Sequence, residues 1–224
     1  MGKFYFCSAI SKIQKDKWNN CVGSDHPFLQ YEFLSALEKS NSASIKTGWQ
    51  PYHYVEEEND NIIALCPFYI KSHSFGEYIF DHSWAEAYYR NGQNYYPKLQ
   101  SAIPFTPVTG KRIILDQNLK NKKNKVKLII KNIIKEAINL NVSSLHFNFV
   151  PKPDSNLTLM IRQGIQFHWK NKNYKSFNDF LNSLSSRKRK AIKKERECLV
   201  KNNLEIKLFT GKLIKKEHID FFYE

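Results

Sequence analysis

A mixed α/β architecture, with a sheet flanked by helices, is the fold class the sequence predicts. Three observations carry it. Two strand-like runs between residues 52 and 71 are separated by a polar turn, a long amphipathic helix begins near residue 125, and strand-like runs bracket that helix. The 224 residues are 42% hydrophobic, 14% aromatic and 25% charged. A chain of that make-up is not wholly disordered and buries enough apolar surface to fold without disulfides or metal.

The first expected element is a helix from about Pro27 to Ser40. Proline suits a first helical position, and Leu29, Phe33, Ala36 and Leu37 recur at helical spacing, so they are expected to face the core. Gly48-Trp49-Gln50-Pro51 breaks the chain. Tyr52–Val55 and Ile62–Lys71 then read as strands of an antiparallel hairpin, with Glu56 to Asn61 as the turn. Pro67 marks an edge, a bulge or an interruption, because it donates no ladder hydrogen bond. Residues 72–110 are dense in aromatics and poor in periodicity, with turns at Pro97, Pro104 and Pro107. Such a stretch is either a binding region or an element hidden from pattern reading.

Lys111–Leu115 reads as a short strand and residues 116–124 as a polar loop. Lys125–Asn141 reads as a helix whose stripe is Val126, Ile129, Ile130, Ile133, Ile134, Ala137 and Ile138. Ser144–Val150 alternates Leu145, Phe147 and Phe149 on one face with His146 and Asn148 on the other, as a strand does. Strand, helix and strand together predict a βαβ unit with parallel strands and a right-handed crossover. Further on, 157–163 reads as a short helix and Ile165–Lys170 as a strand. Ser176 is a fitting cap for a helix holding Phe177, Phe180, Leu181 and Leu184. A basic helix is expected over about Ser186–Asn202, a strand over Leu204–Phe209 and a last helix from about Ile214. That helix stops at Phe221-Phe222-Tyr223-Glu224 with no capping residue, an end read as a truncation.

The net charge of +14 is unevenly placed. Residues 1–110 carry 9 basic and 11 acidic side chains (−2), and residues 111–224 carry 26 and 10 (+16). The basic half fits a polyanionic partner, and it fits equally the lysine, asparagine and isoleucine bias of A+T-rich coding DNA. Arg187-Lys188-Arg189-Lys190, followed by Lys193, Lys194 and Arg196, holds three of the six arginines. No apolar run reaches the roughly 18 residues of a membrane span, and the opening residues lack a signal-peptide core, so a cytoplasmic protein is expected.

Phosphate loops, GxGxxG, GxSxG and HExxH patterns do not occur, and no two of the seven histidines have metal-ligand spacing. Metalloenzyme and Ser/His/Asp hydrolase classes are thereby disfavoured. Three constellations remain. Glu77, Asp81 and His82 lie in an aromatic setting that shifts pKa values, and read as general acid/base groups or as a structural hydrogen-bonded turn. Tyr95-Tyr96-Pro97-Lys98 with Arg112 reads as an anion-holding rim or as an ordinary packed loop. Arg187, Lys188, Arg189, Lys190 and Lys194 recur at helical spacing, so several face one phosphate chain or one solvated surface.

Ordered motifs run along nearly the whole chain. They include His26-Pro27-Phe28, Tyr31-Glu32-Phe33-Leu34, Gly48-Trp49-x-Pro51-x-His53, Ser74-x-Gly76-Glu77-Tyr78-x-Phe80-Asp81, Trp84-Ala85, Tyr95 to Gln100, Pro104 to Gly110, Phe167-His168-Trp169 and Arg187 to Arg196. In these the chain resembles the bacterial FemAB-like N-acyltransferases, relatives of the enzymes that build peptidoglycan bridges. The resemblance implies GNAT-type domains in tandem. Residues 1–165 would form the first, a GNAT-like mixed sheet flanked by helices, and residues 166–224 the start of a second that includes the basic helix and is incomplete. It implies transfer of an acyl or aminoacyl group from an activated donor, acyl-CoA or aminoacyl-tRNA, to an amine, with a cell-wall precursor as the acceptor and no tightly bound cofactor or metal. Asp116 to Asn124 lacks the glycine-rich donor loop of such domains, which moves the expected donor site to the second. Asp81, Glu77 and His82 are then the candidates for orienting or deprotonating the amine. Trp84, Tyr95, Lys98 and Arg112 are the candidates for substrate contacts, and the basic helix for the donor or tRNA. The rival reading is a polyanion- or RNA-binding module without catalysis. A third is a fragment inactive alone, because half of its site is absent.

Overall fold

The computed structural model describes residues 2–79, 81–151 and 159–223. The chain forms two compact units, one ending at Ile161 and the other starting at Arg162. In chain order the first holds β1 (Lys3–Cys7), α1 (Lys15–Val22), α2 (Tyr31–Lys39), β2 (Trp49–Pro51), β3 (His53–Glu58), β4 (Asn61–Cys66), β5 (Tyr69–Lys71), α3 (His82–Arg90), β6 (Lys98–Ser101), β7 (Ile114–Leu115), α4 (Lys122–Asn139) and β8 (Leu145–Phe147). It is a mixed α/β unit with two four-stranded sheets.

Sheet one has the order β1-β3-β4-β7 and is antiparallel throughout. The expected hairpin is its centre. Asn59 and Asp60 turn the chain with φ of 50° and 62°, a left-handed conformation that short polar side chains tolerate and that matches strand twist. The second run ends at Cys66, Pro67 interrupts it, and the chain crosses to the other sheet as β5. Sheet two has the order β2-β5-β6-β8, antiparallel except for the parallel pair β6–β8.

The βαβ expectation is therefore corrected. β7 and β8 bracket α4 but lie in different sheets, and the parallel partner of β8 is β6. β7 is two residues long because Arg112, just before it, turns inward to the carbonyls of Asn148 and Val108. What remains completes the edge of β4, pairing Ala64 with Leu115 and Leu65 with Ile114.

α1 and α2 cover one face of sheet one, around Trp18, Leu34, Val55, Leu65 and Ile114. Full burial of side chains this size is worth roughly 1.5–3 kcal/mol each. The Trp18 indole N–H also finds a partner, the Leu29 carbonyl at 2.8 Å. Of the expected core residues of the first helix, Leu29 is buried and Phe33 and Leu37 pack against the core, while Ala36 does not. Pro27–Leu29 is a separate 3-10 turn, so α2 starts at Tyr31, buries Leu34 and Ser35, and leaves Ala36 exposed. α4 packs on both sheets through Ile129, Ile133 and Ala137, against Tyr54, Phe68, Leu99, Leu145 and Phe147. Its outer stripe residues Ile134 and Ile138 stay 40% and 73% exposed.

The second unit contains α5 (Phe177–Asn182), α6 (Ser186–Lys201) and α7 (Lys216–Tyr223). Ser176 does cap α5, accepting from the Asp179 N–H in a reciprocal capping box with the Asp179 side chain. The expected strands Ile165–Lys170 and Leu204–Phe209 are not strands, since no partner strand in this unit offers them a ladder among the described residues. Of the expected helix 157–163, residues 157–158 lie outside the described residues and 159–163 are not helical. Among the described residues no helix is long and apolar enough to cross a membrane.

Candidate active site

The stretch after β5, which periodicity left unassigned, aims two carboxylates inward, from Glu77 and Asp81. Gly76 and Tyr78 have φ of 76° and 56°, and this double left-handed turn points Glu77 into the protein. A side chain at residue 76 would be doubly strained, because its Cβ would stand 2.6 Å from the Phe105 ring. Asp81 precedes α3 and its carbonyl accepts from the Ala85 N–H. Its carboxylate does not cap the helix but turns inward.

Both carboxylates meet Lys98 on β6. Lys98 Nζ donates to Glu77 Oε1 at 2.7 Å and to Asp81 Oδ2 at 2.6 Å, with all three side chains buried. Tyr95 Oη donates to Asp81 Oδ2 at 2.8 Å, and Ser74 Oγ donates to Asp81 Oδ1. Ser74 Oγ also hydrogen-bonds the Tyr96 hydroxyl. Burial would raise the pKa of Asp81, but the hydrogen bonds from Lys98 and Ser74, the Lys98 charge and the Tyr95 bond outweigh it, so Asp81 is held below its usual range. Glu77 is pushed up, chiefly by burial, with Lys98 opposing. A second buried lysine, Lys71, lies 3.6 Å over the Trp49 ring and donates to the Phe75 carbonyl at 3.2 Å. Its pKa falls to about 7, mainly through burial.

Ser74 and Tyr96 carry this network to a surface cleft of about 290 Å³. His73, Phe75, His82, Ala85, Glu86 and Tyr89 line the rest of it. His73 is pushed below the ordinary histidine range by burial and by Lys71.

The structure thus brings together Glu77, Asp81, Tyr95 and Lys98, and sets His82 on the cleft wall beside them. Trp84 is on α3, 47% exposed, and does not line the cleft. Arg112 is buried apart from the cluster, its Nε 2.8 Å from the Asn148 carbonyl and its Nη2 2.6 Å from that of Val108. Burial lowers its pKa to about 10. Tyr95, Lys98 and Arg112 all point at groups of the protein itself. Arg187, Lys188, Lys190 and Lys194 are exposed on α6, with Arg189 half-buried and its Nη1 3.2 Å from Asn182 Oδ1. Sequence reasoning missed Lys71, His73 and Ser74 as members of the site, and placed Tyr96 in the aromatic rim without its bond to Ser74. Ser74 and Tyr96 stand in the quoted motifs, whereas nothing local distinguishes Lys71 from a strand-end surface lysine. Among the described residues no group of three or more His, Cys, Asp or Glu is arranged to hold a metal ion.

A family model described as FemAB-like, peptidoglycan biosynthesis/recognition, matches residues 9–224. The chain belongs to the FemAB-like family. Comparison with curated proteins yields no match. Among solved structures, this FemAB-like chain is similar to a GNAT family acetyltransferase of Staphylococcus aureus subsp. aureus (9% identity, TM-score 0.39, covering 75% of this chain and 98% of that one). It is similar also to a ribosomal-protein-alanine N-acetyltransferase of Brucella melitensis biovar Abortus (9%, 0.41, 73% and 100%). A third is an aminoglycoside 6'-N-acetyltransferase of Acinetobacter haemolyticus (11%, 0.40, 75% and 98%).

Proposed function

We propose that this FemAB-like chain is an N-acyltransferase that moves an acyl or aminoacyl group from an activated donor to an amine acceptor, with a cell-wall precursor as the acceptor. The observation that carries the reading is the ionised Asp81, joined through Ser74 to the wall of the α3 cleft. A cationic amine entering there meets the Ser74 hydroxyl, the Glu86 carboxylate and the rings of Phe75 and Tyr89, all groups that favour a cation. The amine must lose a proton before it attacks. Asp81 is too weak a base for that while Lys98 holds it ionised, so its role is to orient the amine through Ser74, and His82 takes the proton. The amine nitrogen then forms a C–N bond to the donor carbonyl and releases its second proton to solvent, and the C–S or C–O bond to the carrier breaks. The proton passes from His82 to the departing thiol or hydroxyl.

The donor is acyl-CoA or aminoacyl-tRNA, a substrate and not a resident cofactor, and the proposal includes a cytoplasmic location, where both are made. tRNA as a partner rests on α6, which carries eight basic side chains against Glu195 and Glu197. The same helix supports the second reading, a non-catalytic module for RNA or another polyanion. Incubating the purified chain with each donor class and a panel of primary amines, with mass-spectrometric detection of the amide product, separates the two. Product formation that falls about 100-fold in His82→Gln supports the enzyme. Absence of product with both donors, alongside salt-sensitive RNA binding, supports the module.

A further inference from the structure

In the second unit, the segment Leu204–Phe209 has the pattern of a strand without the pairing of one. Apolar and charged residues alternate as Leu204-Glu205-Ile206-Lys207-Leu208. The chain shows no bend from Leu204 to Thr210. Glu205 and Lys207 stand on one side, with Lys207 Nζ 3.1 Å from Glu205 Oε2. Leu204, Ile206 and Leu208 share the other side, 60%, 75% and 85% exposed. Among the described residues, no backbone N–H or C=O from Glu205 to Phe209 makes a backbone hydrogen bond. Both ends of the segment are anchored. The Leu204 N–H donates to the Leu199 carbonyl of α6 at 3.0 Å, and the Phe209 ring stacks on His218 of α7 with centroids 4.2 Å apart. The segment is thus an extended chain with open edges, the template on which another strand adds.

The segment is complementary to itself. In an antiparallel pair, residues directly opposite share a face, so their apolar and charged groups have to match. When two copies pair about a two-fold axis through Ile206, Leu204 lies opposite Leu208 of the partner subunit, and Glu205 lies opposite Lys207 of the partner subunit. The neighbouring registers fail. An axis through Glu205 sets the two glutamates opposite each other, and an axis through Lys207 sets the two lysines so, and like charges directly opposite are destabilising. An axis between residues puts Ile206 opposite a charge and mixes the two faces. A bare two-stranded ribbon is marginal in water. The unit also exposes Ile219 and Phe222, neighbours three apart on α7, so apolar surface beyond the strands is available to the contact.

We propose that Leu204–Leu208 is a self-association edge, at which two copies of this chain join their second units in an antiparallel ribbon with a two-fold axis at Ile206. The occupant is a second copy because the charge pattern of the segment answers itself in one register and is repulsive or mismatched in its neighbours. The contact is independent of the proposed catalysis.

Sedimentation velocity on the whole chain, over a concentration series at fixed salt, reads the monomer–dimer equilibrium. The unmodified chain is expected to dimerise. Glu205→Lys and Lys207→Glu each set like charges opposite one another, and each should weaken the dimer about tenfold or more. Mixing the two single variants brings unlike charges back together and should restore association, as should the double variant by itself. Both side chains are exposed, so neither change threatens the fold. A chain that stays monomeric across the series overturns the proposal and leaves the segment to a strand of different sequence. A dimer that keeps its affinity in both single variants, or a mixture that associates no more tightly than either variant alone, overturns it as well.

Discussion

Lys71 and Lys98 are Cα partners on neighbouring antiparallel strands, and both are fully buried. Two ammonium groups so placed repel each other. The fold resolves the conflict unequally. Lys98 takes both Glu77 and Asp81, while Lys71 lies on the Trp49 ring and, through burial, titrates near 7. Lys98 is therefore held by two carboxylates, and Lys71 gives up its charge far more readily than an ordinary lysine.

Replacing the two lysines is expected to have unequal effects. Lys98→Met leaves two buried carboxylates without the cation between them, Asp81 keeping only its bonds from Tyr95 and Ser74, and should cost about 3–5 kcal/mol. Lys71→Met keeps the volume and gives up one hydrogen bond to a carbonyl, so its cost should be about 1 kcal/mol. Urea denaturation of both variants checks the order.

His146 makes stability depend on pH. An unfolded histidine titrates near 6.5, and His146 in the fold near 4, so between those values the unfolded chain binds more protons. Its contribution is fully present above about pH 6.5 and is lost as pH falls toward 4, up to about 3 kcal/mol. Denaturation midpoints measured from pH 7 to 4 should fall, and should fall less steeply in His146→Gln.

Gly76→Ala is expected to destabilise by about 1–3 kcal/mol, because the new Cβ meets Phe105 and φ is left-handed. Combining it with Phe105→Ala should recover the steric share and not the backbone share. A double-mutant cycle on thermal midpoints measures the coupling.

What was legible in the sequence follows from how local each signal is. The hairpin, α4 and the basic helix rest on periodicity within one segment, and Pro67 marked an interruption, though not that the chain changes sheet there. β1 and α1 went unread. β6 was hidden because Lys98 and Gln100, its inward side chains on one face, are polar, and α3 because Ala85 is the one residue it buries. The same polarity is what makes the site. Glu77, Asp81, Tyr95 and Lys98 were legible as a motif, but that Lys98 bridges both acids is a cross-strand relationship no local spacing encodes. The misread βαβ unit failed for a similar reason, since which sheet a two-residue strand joins is decided by a free edge elsewhere.

If α6 holds a polyanion, its contribution is electrostatic. Arg187→Ala, Lys190→Ala and Lys194→Ala together should weaken binding to a single-stranded RNA and reduce the slope of log K against log salt by roughly 2–3. Fluorescence anisotropy over a salt series reads the slope, and an unchanged slope places the contact elsewhere.

The most direct test of the proposed mechanism is kcat/KM for amide formation in Asp81→Asn, Ser74→Ala and the double variant, on chains whose melting is first shown to be cooperative. Asp81 acting on the amine through Ser74 predicts a loss of about tenfold or more in each single variant and no further loss in the double. Single variants with unchanged kcat/KM, or losses that multiply in the double variant, would contradict it.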